Sequence, residues 1–118
     1  MVKESGVDIT SEGNAAVASF QSACVSDVEE ITSASTRIRE YIREHQPQRM
    51  VFDFSGVKFF SSQVLGLLLE ARAQLQPQQG QVAVCALSEQ LQRVFKITNL
   101  DRIFTFHADR QAAVAAPA

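Results

Sequence analysis

Two cysteines, two histidines and no surplus of positive charge leave this 118-residue sequence short of the parts that most chemistry displays. Cys24 and Cys85 are too few for a disulfide framework and form no CxxC pair, so free thiols in a reducing compartment are expected. Eleven Lys and Arg against thirteen Asp and Glu give a net charge of −2, which excludes the basic stripe that neutralises phosphates in direct nucleic-acid binding. The opening Met1-Val2-Lys3-Glu4-Ser5-Gly6 lacks the apolar core of a signal peptide. The longest apolar run, from Val64 to Leu69 with Gly66 inside it, is far short of a membrane span. A cytoplasmic protein without membrane insertion is the expectation.

Catalytic signatures are missing too. The sequence has no GxSxG elbow, no HExxH, no GxGxxG and no phosphate loop ending in GKS or GKT. No enzymatic activity, cofactor or metal is therefore expected. His45, beside Pro47, and His107 have no matched nucleophile or ligand at readable spacing, so structural roles suit both.

What is present is a core. With 46% apolar and 20% charged residues the chain reads as one domain over 1–118, its core about 7–110 and its C-terminal tail frayed or a short helix. Val7–Thr10 alternates and, after the turn signal Glu12-Gly13-Asn14, Ala15–Phe20 returns as its hairpin partner. Ser26-Asp27-Val28-Glu29 reads as a capping box opening a helix with Val28, Ile31, Ser35, Ile38 and Ile42 on one face, ending near His45. The run 49–54 suits a central strand covered on both sides, followed by a loop from Ser55 to Phe60. A second helix begins near Ser61-Ser62 and turns Val64, Leu65, Leu68, Leu69 and Leu75 inward, and the glutamine-rich piece 74–81 reads as a solvated loop. Residues 81–86 form another covered strand, and Ser88 caps a helix with Leu91, Val94, Phe95 and Thr98 inside. Residues 103–106 are a last strand. This order implies an α/β fold: a mixed, mostly parallel sheet with an initial β-hairpin and about four helices packed against it.

Few residues offer more than packing. Cys85 falls in a covered strand and reads as a small apolar side chain, while Cys24 sits in a loop. Asp53, at the carboxyl end of a central strand, stands where a phosphoryl-accepting aspartate would. The early acidic ligands that a Mg²⁺ ion needs are missing, so a carboxylate bonded to the turn at Ser55-Gly56 is favoured. Ser61 and Ser62 precede an apolar helix, where hydroxyls commonly serve as caps. With Phe59 and Phe60 before them and Gln63 and Val64 after, they could instead form a surface knob, one ring turned in and the other out. A phosphate there would meet the positive end of the helix dipole.

The run Val51-Phe52-Asp53-Phe54-Ser55-Gly56-Val57-Lys58-Phe59-Phe60-Ser61-Ser62-Gln63-Val64-Leu65-Gly66-Leu67-Leu68 resembles the STAS domain of anti-sigma-factor antagonists and sulfate-transporter tails. Residues 93–104 are similar to that family's third helix and closing strand. The resemblance implies a compact regulatory domain that binds an anti-sigma factor with serine kinase activity and is switched off by phosphorylation. Against the family's Asp-Ser-Ser-Gly-Leu-Gly motif, the acceptor serine falls on Ser62, with Ser61 the second choice. Ser61, Gln63 and Val64 replace the Asp, second Ser and Gly, while Leu65 and Gly66 match. The early loop has Gln21-Ser22-Ala23 where the family tends to carry an Asp. Partner contact is expected through Phe60, Ser61, Ser62, Gln63 and Val64, surfaces that would equally allow a homodimer. Two alternatives stay open: a STAS scaffold that recruits another partner without being a kinase substrate, and a small ligand- or nucleotide-binding domain using the carboxyl edge of the sheet.

Overall fold

Side chains that alternate along the central strands sort the molecule into two faces, and the remaining elements are placed by how those faces are covered. The computed structural model describes residues 7–13 and 15–116. Asn14 of the hairpin turn and the opening segment 1–6 lie outside the described residues. In chain order the elements are β1 (Val7–Glu12), β2 (Ala15–Phe20), β3 (Cys24–Val25), α1 (Val28–His45), β4 (Arg49–Asp53), β5 (Phe59–Phe60), α2 (Ser62–Leu75), β6 (Gln81–Cys85), α3 (Glu89–Ile97), β7 (Thr105–His107) and α4 (Arg110–Ala115). Five strands form one sheet in the order β1-β2-β4-β6-β7, antiparallel only between β1 and β2. The α/β class and opening hairpin are those the sequence implies.

Each crossover from β2 to β4, β4 to β6 and β6 to β7 steps the same way across the sheet. Right-handed connections then leave α1, α2 and α3 on one face. There Ala16, Ala18, Phe20, Met50, Phe52, Phe54, Val82 and Val84 pack against Ile38, Ile42, Leu68, Leu75 and Phe95. The intervening residues Ala15, Val17, Val51, Ala83 and Cys85 point the other way, where Ala113 of α4 covers them.

Six residues make too short a helix to persist alone in water, so α4 depends on its attachments. Asp109 caps its start by accepting from the Ala112 N–H at 2.8 Å. The buried Arg49 guanidinium donates to the Ala113 and Ala116 carbonyls at 2.9 and 2.5 Å, satisfying acceptors the helix end would otherwise leave open. At the opposite end of β4, Arg110 donates through Nε to Asp53 Oδ2 at 3.0 Å, reaches Glu12 at 3.2 Å, and contacts the Ser19 hydroxyl. Thus β4 holds the tail at both its ends.

Several boundaries depart from the sequence reading. The α1 cap is Asp27, whose carboxylate accepts from the Glu29 N–H at 3.0 Å, and Val28 is 58% exposed because the packed row begins only at Ile31. On α2 the inner row is Val64, Leu65, Leu67, Leu68, Ala71 and Leu75, which leaves Leu69 at an exposed edge. The glutamine-rich piece is ordered: Gln74 belongs to α2, and residues 76–78 form a 3-10 turn from which Gln78 donates to the Pro47 carbonyl. Thr98 caps the end of α3, its hydroxyl donating to the Val94 carbonyl rather than entering the core. Phe104 is buried ahead of β7, so the last strand starts at Thr105.

Burial alone would raise the Asp53 pKa, but donation from the Ser55 hydroxyl and N–H and from Arg110 outweighs it and holds the carboxyl below its ordinary range. A pKa lower in the folded than in the unfolded state stabilises the fold above the unfolded value of 3.8, and that stability is lost as pH falls through the depressed value. Arg110→Ala should cost about 1–2 kcal/mol at neutral pH, the figure being restrained because the Arg110 side chain is 39% exposed. Urea melts should show the gap to wild type narrowing near pH 3; a constant gap would mean that Asp53 is not the partner that matters.

Candidate functional site at the start of the second helix

Asp53 is also where the path to Ser62 begins. Its Oδ1 accepts from the Ser55 N–H at 2.9 Å and the Ser55 hydroxyl at 2.6 Å, which fixes the turn leaving β4. Gly56 continues at φ +80°, a left-handed geometry that favours glycine, and Val57 N–H closes the turn on the Phe54 carbonyl at 3.0 Å. The carboxylate is thus committed to the turn and to Arg110, the role the sequence favoured over that of a phosphoryl acceptor.

The segment 58–61 does not run free as a loop. Lys58 and Phe59 N–H groups donate to the Ala23 carbonyl at 2.7 and 3.1 Å and Ser61 N–H to the Val25 carbonyl at 3.0 Å, pairing β5 with β3 in parallel. This pairing sets which ring goes inside. Phe60 is buried, its centroid 5.4 Å from Phe54 and 6.1 Å from Phe95, while Phe59 is 51% exposed. One ring in and one out is the expected alternation.

The docking surface is accordingly not the one expected from sequence. Phe60 and Val64 are core residues, at 6% and 0% exposure, because β5 pairing points the first inward and the helical period places the second over the sheet. Ser62 and Gln63 are exposed. Ser61 is half-buried; it takes the cap position with extended backbone (φ −82°, ψ 164°), yet its hydroxyl makes no capping bond and is buried without a partner. The aromatic residue that the sequence left out of the contact set is Phe59, whose Cα partner across the short pair is the exposed Cys24. The first turn of α2 carries no acidic residue, so its free N–H groups face no carboxylate from their own helix.

Other reactive side chains are occupied by structure. Burial, with the neighbouring Asp53 charge second, pushes the Cys85 thiol up to about 12, far from a thiolate at neutral pH. The His45 ring stacks on Tyr41 with centroids 4.1 Å apart. Among the described residues, no group of three or more His, Cys, Asp or Glu is placed to hold a metal. At the carboxyl ends of β6 and β7, a cavity of about 300 Å³ lies between Leu87, Phe95, Lys96 and Phe106, at the low end of small-molecule sites.

The family model of the STAS domain matches residues 15–113. The chain belongs to the STAS domain family. A Bordetella bronchiseptica protein named as an anti-sigma factor antagonist, BtrV, is 33% identical over 69 residues, spanning 58% of this chain and 60% of that protein. A STAS domain protein from Planctomyces limnophilus superposes with a TM-score of 0.80 at 25% identity, over 92% of this chain and 93% of its own. The Bacillus protein SpoIIAA in its phosphorylated form shares the fold at a TM-score of 0.69 and 17% identity, over 90% of this chain and 95% of its own. Among the described residues, no helix of this STAS chain is long and apolar enough to cross a membrane.

The idle Ser61 hydroxyl generates a test. Ser61→Ala should leave the thermal midpoint unchanged or raise it, since it removes a buried group that bonds to nothing. Ser88→Ala should cost about 1 kcal/mol, because that hydroxyl accepts from the Leu91 N–H at 3.2 Å and caps α3. Thermal melts of both variants would compare the two serines directly, and equal losses would contradict the assignment of Ser61.

Proposed function

We propose that this STAS protein is an anti-sigma-factor antagonist that docks an anti-sigma factor with serine kinase activity through the exposed start of α2, and that phosphorylation of Ser62 breaks the contact. The supporting observation is the placement of Ser62. It is exposed at the first position of α2, while Phe60 and Val64 on either side are rooted in the core. A serine presented on so firm a mount suits both a kinase and a docking partner. Phe59, exposed on the adjoining strand, supplies the apolar contact. The contact set is then Phe59, Ser62 and Gln63, with Phe60, Ser61 and Val64 holding them in place.

The energetics favour a switch in binding rather than in folding. A phosphate adds about −1.5 to −2 charges at a helix N-terminus, where negative charge is welcome. The folded protein therefore tolerates it. A partner packed against the same spot must desolvate that charge, and each 1.4 kcal/mol so lost weakens affinity about tenfold.

Incubation with the source organism's purified serine-kinase anti-sigma factors and ATP should place a phosphate on Ser62, mapped by mass spectrometry, and Ser62→Ala should abolish it. Ser62→Asp should weaken binding at least tenfold with a nearly unchanged thermal midpoint, and Phe59→Asp should do likewise. Binding without phosphate on Ser62 would convert the reading to a STAS scaffold; unchanged affinity in both variants would remove the interface from this position.

A further inference from the structure

Beside Ser62 the space between α1 and α2 opens into a groove of about 780 Å³, walled by Thr32, Ser35 and Arg39 on one side and Gly66, Leu69 and Ala73 on the other. A continuation of about 460 Å³ reaches Arg43. The two helices run parallel. Ser35 donates to Glu70 at 3.0 Å and Gln74 to the Arg39 carbonyl at 2.9 Å, both pairs separated by the same 35 positions. The groove therefore follows the length of α2, whose 14 residues span about 21 Å, enough for a helix of four turns.

Two features point to what lies in it. Gly66 sits in the middle of α2, where glycine costs about 1 kcal/mol relative to alanine. A Cβ added there would meet nothing within 4 Å, so the fold itself does not call for the missing side chain. The open space leaves room on that face for a backbone from outside to come close. Leu69, one turn further along, offers 38% exposed apolar surface to the same visitor. At the far end stand Arg39 and Arg43, one turn apart on α1. Among the described residues neither guanidinium is in a salt bridge, and Arg39 makes only a long 3.4 Å bond to the Ser35 hydroxyl. Glu70, the acidic side chain of the groove, accepts from the same Ser35 hydroxyl that Arg39 reaches, and no described residue lines the groove with a second carboxylate.

We infer that the groove seats an amphipathic helix of the anti-sigma partner, a helix that lays a small residue on Gly66 and two carboxylates, one turn apart, on Arg39 and Arg43. This rests on the proposed function and names the partner chemistry of the same surface. A helix is favoured over a strand because the walls are side chains and offer no unpaired sheet edge. It carries acidic residues because two arginines against the single Glu70 leave the groove's net charge positive.

Titration calorimetry against the organism's purified serine-kinase anti-sigma factor tests the assignment. Arg39→Glu with Arg43→Glu should weaken binding at least tenfold and flatten its salt dependence. Gly66→Gln should also weaken binding at least tenfold while the thermal midpoint holds or rises, which separates a blocked groove from a damaged fold. If Ser62→Asp weakens binding but neither groove variant does, the groove assignment is overturned and the proposed function stands. If Ser62→Asp has no effect either, or the factor does not bind at all, both fall.

Discussion

One buried carboxylate carries an unusual share of this structure. Asp53 ends the central strand β4, and its two oxygens face different tasks: one organises the Ser55-Gly56 turn that leads to the candidate site, the other receives Arg110 from the tail helix. A charge at 4% exposure is costly unless every lone pair finds a donor, and here the donors are the adjacent turn and an arginine 57 positions further along the chain. Without Arg110 the carboxylate is short of a counter-charge, and without the turn it is short of the two bonds that hold its pKa down. The cover over the second face of the sheet and the approach to Ser62 are therefore set by the same residue.

How much of this was legible in the sequence depends on how local each cause is. The β4 and β6 runs announce themselves because both faces are buried, β2 follows as the small-residue return of the hairpin, and the inner row of α1 follows from a period of 3.6. The turn after Asp53 is legible because its donors lie two residues away. By contrast β3 and β5 are two residues each, too short to show a period, and they pair across 35 positions. Their pairing decides that Phe59 is the exposed ring and Phe60 the buried one, so Phe60, drawn from sequence as a contact residue, belongs to the core, as does Val64 through the helical period of α2. Arg110 has no local signal either. A lone arginine in an alanine-rich tail looks solvated until the sheet brings Glu12, Ser19 and Asp53 beneath it.

The two adjacent serines show why position on a helix matters more than residue type. Ser61 occupies the cap position but its hydroxyl is enclosed and bonds to nothing, while Ser62, one residue on, stands in water at the first position of the helix. The proposed phosphorylation needs a hydroxyl that a kinase can reach, which favours Ser62 over Ser61. A switch must also leave the folded protein intact, so the added charge has to fall where the protein's own field accepts it. The first turn of α2 meets that condition, with free N–H groups and no acidic side chain of its own. In the proposed switch, repulsion arises only when a partner closes over the phosphate and removes its water. On the proposed reading such a fold changes what it binds without changing its shape, because Phe60 and Val64, anchored in the core on either side, fix the position of the serine between them.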